Sequence, residues 1–140
     1  MGFDVEFTGV ELSKRKVEQK GLQHFINNER FADELRKNEY ERFSELNFNV
    51  SFREPSDKFF RPFLDKSKTF LDKDNDLSVT IYYVLTKEDI MQLREEGFTE
   101  KDFKGSPEER FYHILMSHLC ELDDYEDKFR EFYLIMEIYY

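Results

Sequence analysis

Asp72, Asp74 and Asp76 occupy alternate positions in Asp72-Lys73-Asp74-Asn75-Asp76-Leu77. At the first, third and fifth positions of an EF-hand loop, that spacing converges carboxylates on one calcium ion. Two requirements of the loop fail: the sixth position, where glycine makes the sharp turn, holds Leu77, and the twelfth, where a glutamate should bind through both oxygens, holds Tyr83. The three aspartates are weak metal candidates. The plainer expectation is a solvated Asp/Asn turn, because both residue types bond their own backbone in turns. No cofactor is expected.

A second set lies near the C-terminal third. Glu109 and His113 are four apart and share a helix face, with Cys120 seven beyond His113. A metal site needs three or four ligands, and thiolate and carboxylate favour different ions. His118 falls on the apolar stripe of the same helix and reads as a core histidine. Cys120 is flanked by Glu121, Asp123 and Asp124, the opposite of the positive surroundings that activate a thiolate. The five glycines, at 2, 9, 21, 97 and 105, form neither a dinucleotide fingerprint nor a phosphate loop. No serine sits in a nucleophile elbow. With 31 acids in 140 residues, carboxylate pairs arise by chance and do not point to glycosidase chemistry. The expectation is a non-enzyme with no catalytic residues.

Charge is the next signal. Residues 1–70 carry 13 acidic and 13 basic side chains, whereas residues 71–140 carry 18 acidic and 8 basic. The densest run is Glu121, Asp123, Asp124, Glu126, Asp127 and Glu131, with Glu95, Glu96, Glu100, Asp102, Glu108 and Glu109 upstream. Such a surface repels phosphate backbones and attracts basic ones. The basic groups are Lys14-Arg15-Lys16 and the interrupted set Arg53, Lys58, Arg61, Lys66 and Lys68, and the aromatic signature of an RNA-recognition sheet is absent. Direct nucleic-acid binding is not expected.

The acidic run has two readings. One is a solvated, solubilising face. The other is a face that docks on a basic protein, such as one built for nucleic acid, and mimics the acid's charge. The sharper expectation is a small acidic interaction protein that binds and inhibits such a partner, with Tyr112 and Tyr125 as aromatic anchors. Short, acidic, rich in Phe and Tyr and without an active site, the chain resembles small phage-type inhibitors in style. The alternative is a regulatory module in which Lys58, Phe59, Arg61, Phe63, Lys66 and Lys68 grip an anionic small molecule such as a nucleotide.

A lone cysteine, Cys120, precludes an internal disulfide and suits a reducing compartment. The N-terminus lacks the basic start and apolar run of a signal peptide, and no stretch reaches the roughly 18 apolar residues of a membrane span. A cytoplasmic protein without membrane contact is expected, so Asn49-Val50-Ser51 is a chance match to the glycosylation pattern.

The elements that must position these residues follow from periodicity. Phe3, Val5 and Phe7 alternate with polar residues, predicting a strand; from Lys14 to Phe43 the spacing turns helical, with a break near Asn27-Asn28. Leu46, Phe48, Val50 and Phe52 alternate again and give the clearest strand. Glu54 to Asp76, with Pro55 and Pro62, reads as a long connection pinned by aromatics. Leu77 to Leu85 is strand-like; Thr86 with Asp89 caps a short helix ending at Gly97, and Ser106-Pro107-Glu108-Glu109 starts another running to Leu122. Residues 132–140 fit a helical stripe or a strand covered on both faces, and the strand is favoured. The chain therefore reads as one α+β domain over residues 1–140, with an about four-stranded, mainly antiparallel sheet and helices on one face. That element order is ferredoxin-like, a split βαβ. An exposed strand edge would permit a homodimer.

Overall fold

The computed structural model describes residues 2–23, 46, 48–75 and 78–140. Among them one five-stranded sheet is built from β1 (Asp4–Ser13), β2 (Phe48–Arg53), β3 (Lys68–Asn75), β4 (Ser78–Thr86) and β5 (Arg130–Tyr139). The strand order is β2-β1-β5-β4-β3 and every pairing is antiparallel. Four α-helices are defined among the described residues: α1 (Lys14–Lys20), α2 (Asp57–Lys66), α3 (Lys87–Glu95) and α4 (Glu109–His118). Short 3-10 helices follow α3 at Glu100–Asp102 and α4 at Cys120–Asp124. No described helix is long and apolar enough to cross a membrane.

Successive side chains on a strand point to opposite faces, and here both faces are apolar at the centre of the sheet. On β5, Phe132, Leu134 and Met136 join the larger core, while Tyr133 and Ile135 join a second cluster on the other side. β1 divides likewise, Val5 and Phe7 from Val10 and Leu12. These two central strands pair over their whole length, from Asp4 opposite Tyr139 to Ser13 opposite Arg130. The larger core is made chiefly of Phe: Phe63 meets Phe7 edge-on at 5.0 Å and Phe98 at 5.0 Å, and Phe59 meets Phe52 and Phe103 at 5.6 and 5.4 Å. Aromatic bulk lets a few short helices close the core, because each ring buries about 150–250 Å².

The strand reading of the C-terminus holds, with β5 beginning two residues earlier at Arg130. The Thr86 cap also holds. Its hydroxyl accepts from the Asp89 backbone at 3.3 Å while the Asp89 carboxylate accepts from the Thr86 backbone at 2.9 Å.

Several expectations are corrected. The sheet has five strands rather than about four, because Glu54 to Asp76 is not a loop-like connection: it holds α2 and edge strand β3. The ferredoxin-like order is not confirmed. β1 and β2 are direct antiparallel neighbours, whereas a βαβ unit joins parallel strands. Helices do not occupy one face alone, since Val17 of α1 and Leu22 pack on the second cluster. The first helix does not run on from Lys14, because Gly21 ends α1 with φ +78°, a conformation glycine adopts without strain; the expected helix over 24–43 lies outside the described residues. The later helix also starts and stops differently. α4 begins at Glu109, Ser106 Oγ donating instead to the Phe103 carbonyl at 2.6 Å, and it ends at His118 rather than Leu122.

Candidate functional site

The acidic run falls between α4 and β5. In the 3-10 helix Cys120–Asp124, Leu122 is fully buried and the remaining residues are exposed. One apolar side chain thus turns Glu121, Asp123 and Asp124 outward. Arg94 at the end of α3 fixes the segment from the side, its Nη1 donating to Asp123 Oδ1 at 2.7 Å and its Nη2 to the Leu119 carbonyl at 3.3 Å. Glu126 is exposed. Asp127 Oδ1 accepts from the backbone N–H groups of Phe129 and Arg130 at 2.8 and 3.0 Å, turning the chain into β5. Glu131 accepts from the Tyr133 hydroxyl at 3.0 Å. Among the described residues Glu121, Asp124 and Glu126 have no cationic partner, while Asp123, Asp127 and Glu131 hold the local structure.

The two tyrosines sit inside the fold more than on it. Tyr112 stacks on Phe103 at 5.7 Å and meets Phe98 at 5.6 Å, and burial pushes its phenol pKa up. Tyr125 is half-buried; its hydroxyl donates to buried Glu11 at 3.4 Å and its carbonyl accepts from Lys87 Nζ at 2.9 Å. The exposed aromatic of this segment is Phe129, 77 % accessible. Its backbone is held on both sides, by Asp127 and by the Lys14 N–H donating to its carbonyl at 2.8 Å. Sequence reading missed it because Phe129 fits the same apolar stripe as Phe132 and Met136. A cleft of about 430 Å³ adjoins it, lined by Lys14, Lys87, Lys128 and Arg130 as well as by Glu88, Glu126, Asp127 and Glu131. Cations therefore interleave with the acids at this end.

The upstream acids are mostly occupied. Glu108 accepts from the Ser56 backbone and hydroxyl at 2.9 and 2.7 Å ahead of α2, Asp102 caps Thr99, and Glu96 pairs with Lys66 at 2.6 Å. The alternative ligand residues are similarly placed. Phe59 and Phe63 are fully buried in the core. Lys58 donates to the Asp102 carbonyl at 2.7 Å, Arg61 pairs with Asp57 at 2.8 Å, and Lys68 is exposed at the sheet edge. Beside them lies a cleft of about 330 Å³ in which Lys58 and Lys66 face Asp65, Glu96 and Asp102.

Asp72 and Asp74 lie on β3, whose hairpin with β4 closes at Asn75 opposite Ser78; Asp76 lies outside the described residues. A paired strand replaces the first part of the EF-hand loop. Asn49 of the glycosylation-like triplet donates to Glu6 at 2.6 Å and to Thr8 at 2.9 Å across the β1–β2 pair. His118 stacks on Phe48 at 4.5 Å. No family model matches this chain, and no curated protein or solved structure is significantly similar to it.

Proposed function

We propose that this chain is a non-enzymatic interaction protein that binds and inhibits a basic protein partner in the cytoplasm through the segment Cys120–Glu131. The observation that carries the reading is that this one short segment exposes Phe129 together with Glu121, Asp124 and Glu126, three acids that make no ion pair among the described residues. An exposed aromatic on a hydrogen-bonded backbone supplies apolar contact, and the carboxylates supply steering toward a basic surface. The charge-mimic form of the idea, in which the partner's groove is one for nucleic acid, rests on the same carboxylates.

The test is capture from native-cell extract with immobilised wild-type chain, compared with a Glu121→Lys/Asp124→Lys/Glu126→Lys variant. These three positions are chosen because reversing Asp123 or Asp127 would also break the Arg94 pair or the turn into β5. A basic protein that elutes with salt from the wild type and is missing from the variant supports the reading. The same proteins on both resins contradict it.

A second reading keeps support from the cleft beside Lys58 and Lys66, which offers room for a small anionic ligand. Both lysines are already engaged by Asp102 and Glu96, so such a ligand would have to displace bonds in place. Nucleotide titration monitored by thermal shift, with Lys58→Ala as control, decides it.

A further inference from the structure

We propose that Glu100, Glu109 and His113 form a binding site for one divalent transition-metal ion of the zinc class. The three offer one ligand atom each, and these atoms lie within 4.8 Å of one another. His113 Nε2 is 3.4 Å from Glu100 Oε1 and 4.0 Å from Glu109 Oε1. Nitrogen and oxygen ligands about 2.0–2.2 Å from a tetrahedral zinc ion stand roughly 3.4 Å apart. The His113–Glu100 distance already matches; the His113–Glu109 distance of 4.0 Å and the Glu100–Glu109 distance, within 4.8 Å, must shorten as the side chains close on the ion.

The placement is built by two elements. Glu109 and His113 sit on successive turns of α4, and Glu100 opens the 3-10 helix before it, held in place by the reciprocal Thr99–Asp102 cap. Glu109 Oε2 accepts from the Gly105 backbone at 3.3 Å, which leaves Oε1 for the cluster. Two carboxylates and a neutral imidazole give a doubly negative donor set, matched by a divalent cation. A donor set with an imidazole suits zinc and its neighbours, whereas calcium needs six to eight oxygens. His113 is about half exposed, so water can complete the coordination. Cys120 is not part of the set found here. The competing account is that His113 only contacts the two glutamates, with no metal affinity.

Calorimetric titration of the full chain with zinc chloride in metal-free buffer separates these. Wild type should bind one ion. His113→Ala and Glu100→Gln should each weaken binding by at least about tenfold, and Cys120→Ser should leave it unchanged. Both ligands are exposed, and equal melting curves of the ion-free variants would show that the folds are intact. No binding by wild type, binding indifferent to His113→Ala, or binding lost in Cys120→Ser would each overturn the site.

Discussion

Arg94 joins α3 to the acidic segment: its guanidinium donates to the Asp123 carboxylate at 2.7 Å and to the Leu119 carbonyl at 3.3 Å. A cation is thus used to hold still a group of anions whose exposed members, Glu121 and Asp124, flank Asp123 in sequence. The ion pair by itself is worth little, since the Asp123 side chain is 63 % exposed. The bond to a backbone carbonyl that ends α4 adds to it. Arg94→Ala should lower stability by about 1 kcal/mol. Amide exchange over 119–125 should speed up more than exchange in β1 and β5, which hydrogen-exchange mass spectrometry reads directly.

Gly9 should tolerate no side chain. A Cβ there would collide with the Leu46 carbonyl oxygen and the Phe48 ring. Phe48 cannot retreat freely, because His118 stacks on its ring at 4.5 Å. Gly9→Ala should cost about 1–3 kcal/mol as the β1–β2 pair is forced apart. A denaturant midpoint equal to wild type would contradict that packing.

Phe63 and Phe129 make a matched pair of aromatic truncations. Phe63 is fully buried against Phe7 and Phe98, and Phe63→Ala should cost about 3–5 kcal/mol. Phe129 is 77 % exposed, so Phe129→Ala should change stability by no more than about 0.5 kcal/mol. It should nonetheless weaken capture of a basic partner. Thermal melts and the capture assay together check both arms.

Tyr133 predicts an alkaline transition. Burial, then the Glu131 charge, and then the hydrogen bond to Glu131 raise its phenol pKa well above the ordinary range. The folded state therefore holds its proton more tightly than the unfolded chain, whose tyrosines titrate near about 10. Its contribution to stability is complete below about pH 10 and is lost as pH rises toward the folded value. Tyr133→Phe should be less stable at neutral pH through loss of the 3.0 Å bond to Glu131, yet show a shallower decline above about pH 10. Urea unfolding at a series of alkaline pH values measures both.

Much of the sheet was legible in the sequence because its inner strands bury side chains in a simple pattern. Phe48 and Phe52 alternate with exposed residues on β2, and the nearly continuous apolar run of β5 reflects cover on both faces. On β1 the alternation of Phe3, Val5 and Phe7 shows only the start of the strand, because from Phe7 to Leu12 every residue is buried. β3 was hidden by its place at the edge. It opens on exposed Lys68 and Thr69, which break the apolar alternation, and an exposed lysine protects an edge from further pairing. α2 was masked by Pro62, which removes one backbone bond from a helix whose Phe59, Phe60 and Phe63 still hold it to the core. The acidic segment was legible as a charge run. Which acids point outward was not, because that depends on Leu122 and Arg94, contacts made across the fold. The approach of Glu100 to His113, 3.4 Å between Oε1 and Nε2, is likewise a contact across the fold that spacing in the sequence does not show.

The central claim is that the Cys120–Glu131 segment recognises a basic surface by charge and by Phe129. The most direct test is the dissociation constant of the captured partner, measured from low to high salt, for wild type and for Glu121→Lys/Asp124→Lys/Glu126→Lys. Binding by wild type should weaken steadily as salt screens the carboxylates, and the variant should bind at least about tenfold more weakly at low salt, a loss of about 1.4 kcal/mol. A dissociation constant that stays flat with salt, or is the same for both proteins, would contradict the account.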